Sequence, residues 1–154
     1  MKKITSLLIC ALLILSIVTN YAFADGPVVK ESTSIIYLED GNYFEVRLLE
    51  NSSAFRTNSK SGSKTYTYYD HGSAVWAVIL NATFTFDGSS ATCTSASCSV
   101  AIYSSFWYTV SSGSSISGNT AIGTASVAHR LLGVTVQTIP VSITLSCDAN
   151  GNLS

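Results

Sequence analysis

Residues 74–86, AVWAVILNATFTF, sort their side chains onto two faces of unequal character. Ala74, Trp76, Val78, Leu80, Ala82, Phe84 and Phe86 fall on one side, and Val75, Ala77, Ile79, Asn81, Thr83 and Thr85 on the other. A period of two with one wholly apolar face predicts a half-buried strand. The apolar first half of the second face predicts cover from a neighbouring segment. Asp87-Gly88 then supplies a turn signal. Further strands are predicted at 89–95, 98–104, 106–111, 114–131 with a break, and 134–147. In the last of these Val141, Ile143, Leu145 and Cys147 share a face, and Pro140 marks an edge or a bulge. No stretch carries helical periodicity with caps. Short strands joined by Gly and Ser turns, with no crossover helices, predict an all-β chain. The expected architecture over 65–154 is a single antiparallel β-sandwich, immunoglobulin-like in architecture.

The same patterning divides the region upstream. Residues 25–50 hold six acids (Asp25, Glu31, Glu39, Asp40, Glu45, Glu50) against Lys30 and Arg47. Within them IIYLEDGNYFEVRLL reads as two β-prone runs about Asp40-Gly41, a pair that accepts the positive φ of a tight hairpin turn. Residues 51–64 are Ser-rich, polar and aperiodic, and are read as a flexible linker. A hairpin by itself is marginal in water, so 25–50 is expected to form an acidic β-hairpin arm loosely attached to the sandwich. Residues 1–24 read as a signal peptide. Lys2 and Lys3 precede the apolar run LLICALLILSIV, and Ala22-Phe23-Ala24 offers a small-x-small cleavage site. That run is too short for the ~20 residues a membrane span needs. A secreted product, extracellular or loosely surface-associated, is the expectation, with no transmembrane segment in the mature chain.

Charge and composition narrow the function classes. The leader takes two of the eight basic residues and none of the nine acids, leaving six against nine, a charge of −3. Arg130 is the single basic residue after Lys64, so there is no footprint for nucleic acid. No assembled nucleophile and base is apparent, and no G-x-S-x-G occurs. Asp70 beside His71 is read as a polar turn, since neighbours in an extended segment point apart. His129 lies on a strand of alternating character. Asp148-Ala149-Asn150-Gly151-Asn152 imitates the start of a calcium loop, but its Gly comes one place early. It is read as a terminal turn or tail. No catalytic residues, no metal and no cofactor are expected, and the chain is not read as an enzyme.

Three cysteines remain after the leader: Cys93, Cys98 and Cys147. Cys93-x₄-Cys98 has the wrong spacing for a zinc knuckle or a redox motif, both of which place two residues between their cysteines. On a straight strand the two sulfurs would be ~16 Å apart on opposite faces. Face parity instead places Cys93 with Ala91, and Cys147 with Leu145 and Ile143, towards a common core. A Cys93–Cys147 disulfide is expected, with Cys98 a buried free thiol. Cys98–Cys147 is the alternative, since one slip of the ladder exchanges the candidates.

Two surface features qualify as binding candidates. Tyr66, Tyr68, Tyr69, Trp107 and Tyr108 form either a stacking surface for sugars or ordinary strand aromatics, and the second reading is favoured. Leu131, Leu132, Gly133 and Val134 crowd a hairpin tip where polar residues are the rule. They are either tucked against the domain or offered to a partner, and tucking is favoured.

The order YLEDGNYFEV, SKSGSKTYTYYD, Trp76 followed by FTFDGSSATC, SGNTAIGTA, RLLGVTVQT and the closing ITLSC with its G-x-L-S resembles a family of small secreted proteins of Gram-positive bacteria, of unknown function. The resemblance implies a β-rich exported domain with cysteines at Cys93 and Cys147, and an apolar residue where this chain has Cys98. It implies no catalytic residues. The expected function is a non-enzymatic binding or surface-associated domain, its partner a cell-surface glycan or protein. The alternative is a small secreted effector, either an antibacterial toxin or an enzyme inhibitor.

Overall fold

A computed structural model describes residues 28–52 and 58–154. The leader expected over 1–24 lies outside the described residues. Eight strands follow one another: β1 (Val28–Tyr37), β2 (Tyr43–Ser52), β3 (Ser59–Asp70), β4 (Ser73–Phe86), β5 (Ala91–Ile102), β6 (Trp107–Ser117), β7 (Thr120–Leu131) and β8 (Val134–Ser146). They form two antiparallel sheets, β1-β2-β3-β4-β5 and β6-β7-β8, in sequential order. The all-β sandwich is therefore as the sequence predicts. Its connectivity is a meander folded over between β5 and β6, whereas immunoglobulin domains join their sheets by Greek-key crossings. At the fold, Cys93 N–H donates to Gly118 O (2.9 Å) and Ser114 Oγ donates to Ala96 O (3.1 Å), stitching β5 to β6.

The core lies where the three-stranded sheet covers β3, β4 and β5. From β4 it takes Trp76, Val78, Leu80, Ala82 and Phe84, five of the seven residues on the apolar face read from the sequence. The bulge at Val75 turns Ala74 outward, and Phe86 is half-buried at the strand end. Ala121, Ala125 and Val127 of β7 and Val141, Ile143 and Leu145 of β8 face them, with Cys147 just beyond β8. Small residues on β7 let the sheets approach closely. Gly123 is the extreme case, since a Cβ there would lie 2.9 Å from Ile143 Cγ2 and 3.0 Å from Cys98 Sγ.

Two expectations about chain organisation are overturned. Of the arm read over 25–50, the described residues 28–50 are not loosely attached. From Tyr43 to Asn51, β2 pairs with β3, so the hairpin extends the sheet that forms one wall of the sandwich. The linker read over 51–64 is likewise shorter, because Ser59–Lys64 form the first half of β3 and Asn51 and Ser52 end β2. Its middle, 53–57, lies outside the described residues. The polar composition of 59–64 concealed a strand because Lys60 pairs with buried Glu50 (2.5 Å). Gly62 is also bare for a reason: a Cβ there would collide with Leu153 Cδ1.

Bulges correct the parity arguments. Residues 91–102 are one strand, not two. The β4–β5 register runs from Leu80↔Cys98 to Thr83↔Ser95, then resumes at Phe84↔Cys93, leaving Thr94 unpaired. One unpaired residue shifts the face, so Cys93 and Cys98 point the same way despite their odd spacing. A second bulge, between Tyr68↔Trp76 and Tyr69↔Ala74, leaves Val75 out of the β3 ladder. The Val75 carbonyl is thereby free to accept from Tyr103 N (2.9 Å) and Ser104 N (3.2 Å), fixing the β5–β6 turn.

The segment after β8 is a tight turn that closes one end of the sandwich. Asp148 Oδ2 accepts from Asn152 Nδ2 (2.8 Å), and its Oδ1 from Asn152 N (2.8 Å) and Asn150 N (2.9 Å), contacts that hold its carboxyl below the usual range. Cys147 bridges to Leu153, which is buried. Gly151 has φ +83° and lies under the Phe86 ring, whose atoms would be 2.5–2.8 Å from an added Cβ. Gly151→Ala therefore meets a disfavoured backbone and a ring that must shift to admit the methyl group. It is expected to cost roughly 2–5 kcal/mol, read as a lowered urea midpoint.

Candidate functional site

The β7–β8 hairpin ends in Leu131-Leu132-Gly133-Val134, and its sequence decides the turn. Leu131 pairs with Val134, so Leu132 and Gly133 are the two central residues. Both take positive φ, +50° and +82°, the mark of a type I′ turn that matches the twist of the flanking strands. Gly133 accepts this freely. Leu132 does not, because an L-residue in the left-handed region places Cβ against its own carbonyl, a cost of about 1–2 kcal/mol. The β3–β4 turn makes a useful comparison. There His71 (φ +48°) precedes Gly72 (φ +79°), and histidine is among the residues enriched at such positions.

The tip is not tucked. Leu132 is 97% exposed, Val134 64% and Leu131 51%. The favoured expectation of a buried tip fails because the hairpin projects beyond the last core pairs of β7 and β8. Phe106 is also exposed, and its carbonyl accepts from Arg130 N (2.7 Å), which sets the β5–β6 turn beside the tip. Arg130 lays its guanidinium over the Tyr108 ring at 4.5 Å. Tyr108 in turn shares a 2.7 Å hydrogen bond with Thr135, and this bond and then the nearby Arg130 hold its phenol below the usual range. The outer side of the hairpin base is thus braced by polar contacts, while its tip presents bare hydrocarbon.

The five aromatics named from the sequence do not form one surface. Tyr68 and Trp107 are buried against Trp76, at ring distances of 5.0 Å (Tyr68–Trp76) and 6.1 Å (Trp76–Trp107), and Tyr66 packs against the same core. Tyr69 points out of the opposite face of β3, and Tyr108 belongs to the other sheet. His129 stacks on Trp107 at 4.9 Å and meets Phe106 edge-on at 6.5 Å. The Nε1 of Trp76 has no hydrogen-bond partner in this aromatic cluster. Sequence reasoning missed Phe106 and a row of outward tyrosines, Tyr37, Tyr43 and Tyr103. The symmetry of Tyr37 and Tyr43 about Asp40-Gly41 was a usable signal for two of them.

Asp70 and His71 lie at a polar turn, as read from the sequence, and their side chains touch there, with Oδ1 2.6 Å from Nδ1. The alternation of an extended strand does not apply at a turn. The His71 side chain is 93% exposed. Among the described residues no group of three metal-ligating side chains comes together, and no helix is long and apolar enough to cross a membrane.

Among the described residues Cys93, Cys98 and Cys147 are free thiols, so the Cys93–Cys147 bond expected from the sequence is not formed in this structure. Cys93 and Cys147 are both buried in the core and hang from successive residues of the β6–β7 turn: Cys93 N–H donates to Gly118 O (2.9 Å) and Cys147 N–H to Asn119 O (3.0 Å). Burial pushes both thiols up, and the proximity of Cys93 adds to the effect on Cys147. Cys98 sits elsewhere, half-buried over Gly123, with its Sγ 3.8 Å from Thr124 O.

No family model matches this chain, and no curated protein does. Among solved structures it is similar to a hypothetical protein of Listeria monocytogenes EGD-e, at 17% identity over 84% of this chain and 95% of that one, with a TM-score of 0.46.

Proposed function

We propose that this chain is a secreted, non-enzymatic binding domain that attaches to a surface partner through its β7–β8 tip. The observation that supports this most is Leu132, which is both almost wholly exposed and held in the left-handed region. Neither property helps the chain to fold. Asn or Gly at this position would relieve the backbone, and burying Leu131, Leu132 and Val134 would gain roughly 1.5–3 kcal/mol each. A side chain that forgoes both gains is one whose benefit comes from contact with something else. The leader predicted from Lys2 to Ala24 supplies the other half of the reading, since it would deliver the domain outside the cell.

The test uses mature protein incubated with washed Gram-positive cells. Wild-type chain is expected to sediment with the cells. The Leu131→Ser, Leu132→Ser variant is expected to be retained about tenfold less, a loss of about 1.4 kcal/mol in binding. Its thermal stability should stay within about 0.5 kcal/mol of wild type, as for other surface changes. Undiminished retention would remove the tip from the binding site. A large fall in stability with retention intact would show the leucines to be core.

A further inference from the structure

The first strand pairings assemble a second aromatic feature, on the outer face of the five-stranded sheet. Tyr37 lies opposite Tyr43, and Tyr43 opposite Tyr69. Their rings follow one another at 5.8 Å and, stacked in parallel, at 4.7 Å. Tyr103 is brought to the same face by the β4 bulge, whose Val75 carbonyl accepts the Tyr103 N–H. The sheet is low near these two tall side chains, because β3 and β4 present Thr65, Thr67 and Ala74 there. The result is a shallow groove of about 510 Å³, with Tyr69 and Tyr103 among its aromatic lining and Glu45 and Arg47 among its polar lining.

The polar groups are held in place. The Arg47 guanidinium lies 3.1 Å from Glu31 and 3.4 Å from Glu45, so one cation is fixed between two carboxylates. This trio carries one net negative charge and disfavours an anionic ligand. It nonetheless offers guanidinium donors and carboxylate acceptors side by side, with threonine hydroxyls that serve as both. Partial burial first, and then the Glu45 charge, hold the Tyr69 phenol above its usual range, so its O–H remains a donor.

We infer that this groove is a saccharide site, in which Tyr69 and Tyr103 take the C–H face of a neutral hexose unit and Glu45, Arg47 and Thr67 take its hydroxyls. A pyranose ring has an apolar face and a rim of groups that each donate and accept. It therefore needs an aromatic wall beside a mixed polar set with little net charge. Pockets that orient small ligands combine these same two elements, predominantly apolar walls and a few placed polar groups. A phosphorylated or carboxylated ligand would meet two carboxylates, and a purely apolar one would leave the ion cluster unpartnered.

The full mature chain would be titrated separately with chitotetraose, cellotetraose and maltotetraose, following tyrosine ring resonances by NMR. At least one tetrasaccharide should shift Tyr69 and Tyr103 saturably, with a dissociation constant near millimolar, about −4 kcal/mol for an open site. Tyr103→Ala should weaken binding tenfold or more. Ala74→Trp, which fills the groove from a solvent-facing position, should abolish it, with the melting curve as the control for folding. The Leu131→Ser, Leu132→Ser variant should titrate as wild type, since its changes lie on the other sheet. That variant also keeps this result separate from the fate of the tip. Absence of ring shifts with all three sugars would overturn the proposal. So would shifts that survive both Tyr103→Ala and Ala74→Trp.

Discussion

Under oxidising conditions the Cys147→Ala variant is expected to be less stable than wild type by roughly 4 kcal/mol, the chain-entropy value for a closed loop of this length. In reducing buffer the gap should narrow to roughly 1–2 kcal/mol, the loss of one buried sulfur. The expected bond is Cys93–Cys147. Oxidised glutathione would supply the chemistry, taking two electrons and two protons from the pair of thiols and leaving as two reduced molecules. The geometry favours this pair because both cysteines flank the β6–β7 turn, hydrogen-bonded to Gly118 and Asn119. It disfavours the alternatives. Cys98 lies over Gly123, which pairs with Ile143, and Ile143 is roughly 13 Å along the chain from Cys147 at strand rise. Cys93 and Cys98, although on one face, are separated by a comparable length of β5. Non-reducing peptide mapping should find the Cys93–Cys147 peptide with Cys98 alkylated, and a Cys98-containing disulfide would contradict the assignment.

The second large effect is expected at Lys60. Glu50 is buried (6% exposed), and Lys60 Nζ lies 2.5 Å from its Oε2. Lys30 stands further off at 3.7 Å with its side chain largely in solvent, so it screens Glu50 only in part. Lys60→Met should leave a buried carboxylate largely uncompensated and cost roughly 3–5 kcal/mol in urea unfolding. Lys60→Met combined with Glu50→Gln should recover most of that loss, because the charge that lacked a partner is gone. A double variant as unstable as the single one would show that Lys60 acts through packing of its stem instead.

Much of the fold was legible because alternation reports burial directly. The Trp76-to-Phe84 face of β4, and Val141, Ile143 and Leu145 of β8 with Cys147 beyond it, are buried as their period implied. The first strands were misjudged for a physical reason. Lys60 and Gly62 look like linker residues, yet one neutralises a buried acid and the other makes room for Leu153. Neither role shows until β2 and β3 are side by side. Cys93 and Cys147 face the core as their parity implied, but the continuity of 91–102 was hidden by Thr94, since a bulge inverts parity without leaving a composition signal. At the candidate site, the sequence marked out Leu131 to Val134 but not their exposure, which depends on how far the hairpin outruns the sheet. Strand parity sends Tyr66 and Tyr68 inward, as the favoured reading of ordinary strand aromatics has it, and Tyr69 outward, while the partners of Tyr69 on that face were not marked out.

The claim that the tip is built for contact at the expense of folding is tested most directly by Leu132→Asn. This change makes Asn-Gly, the preferred pair for a type I′ turn, and leaves the rest of the hairpin untouched. The account predicts a gain of about 1 kcal/mol, roughly 3–6 °C in Tm, together with weaker retention on washed cells. A variant that is more stable and still retained as wild type would contradict it.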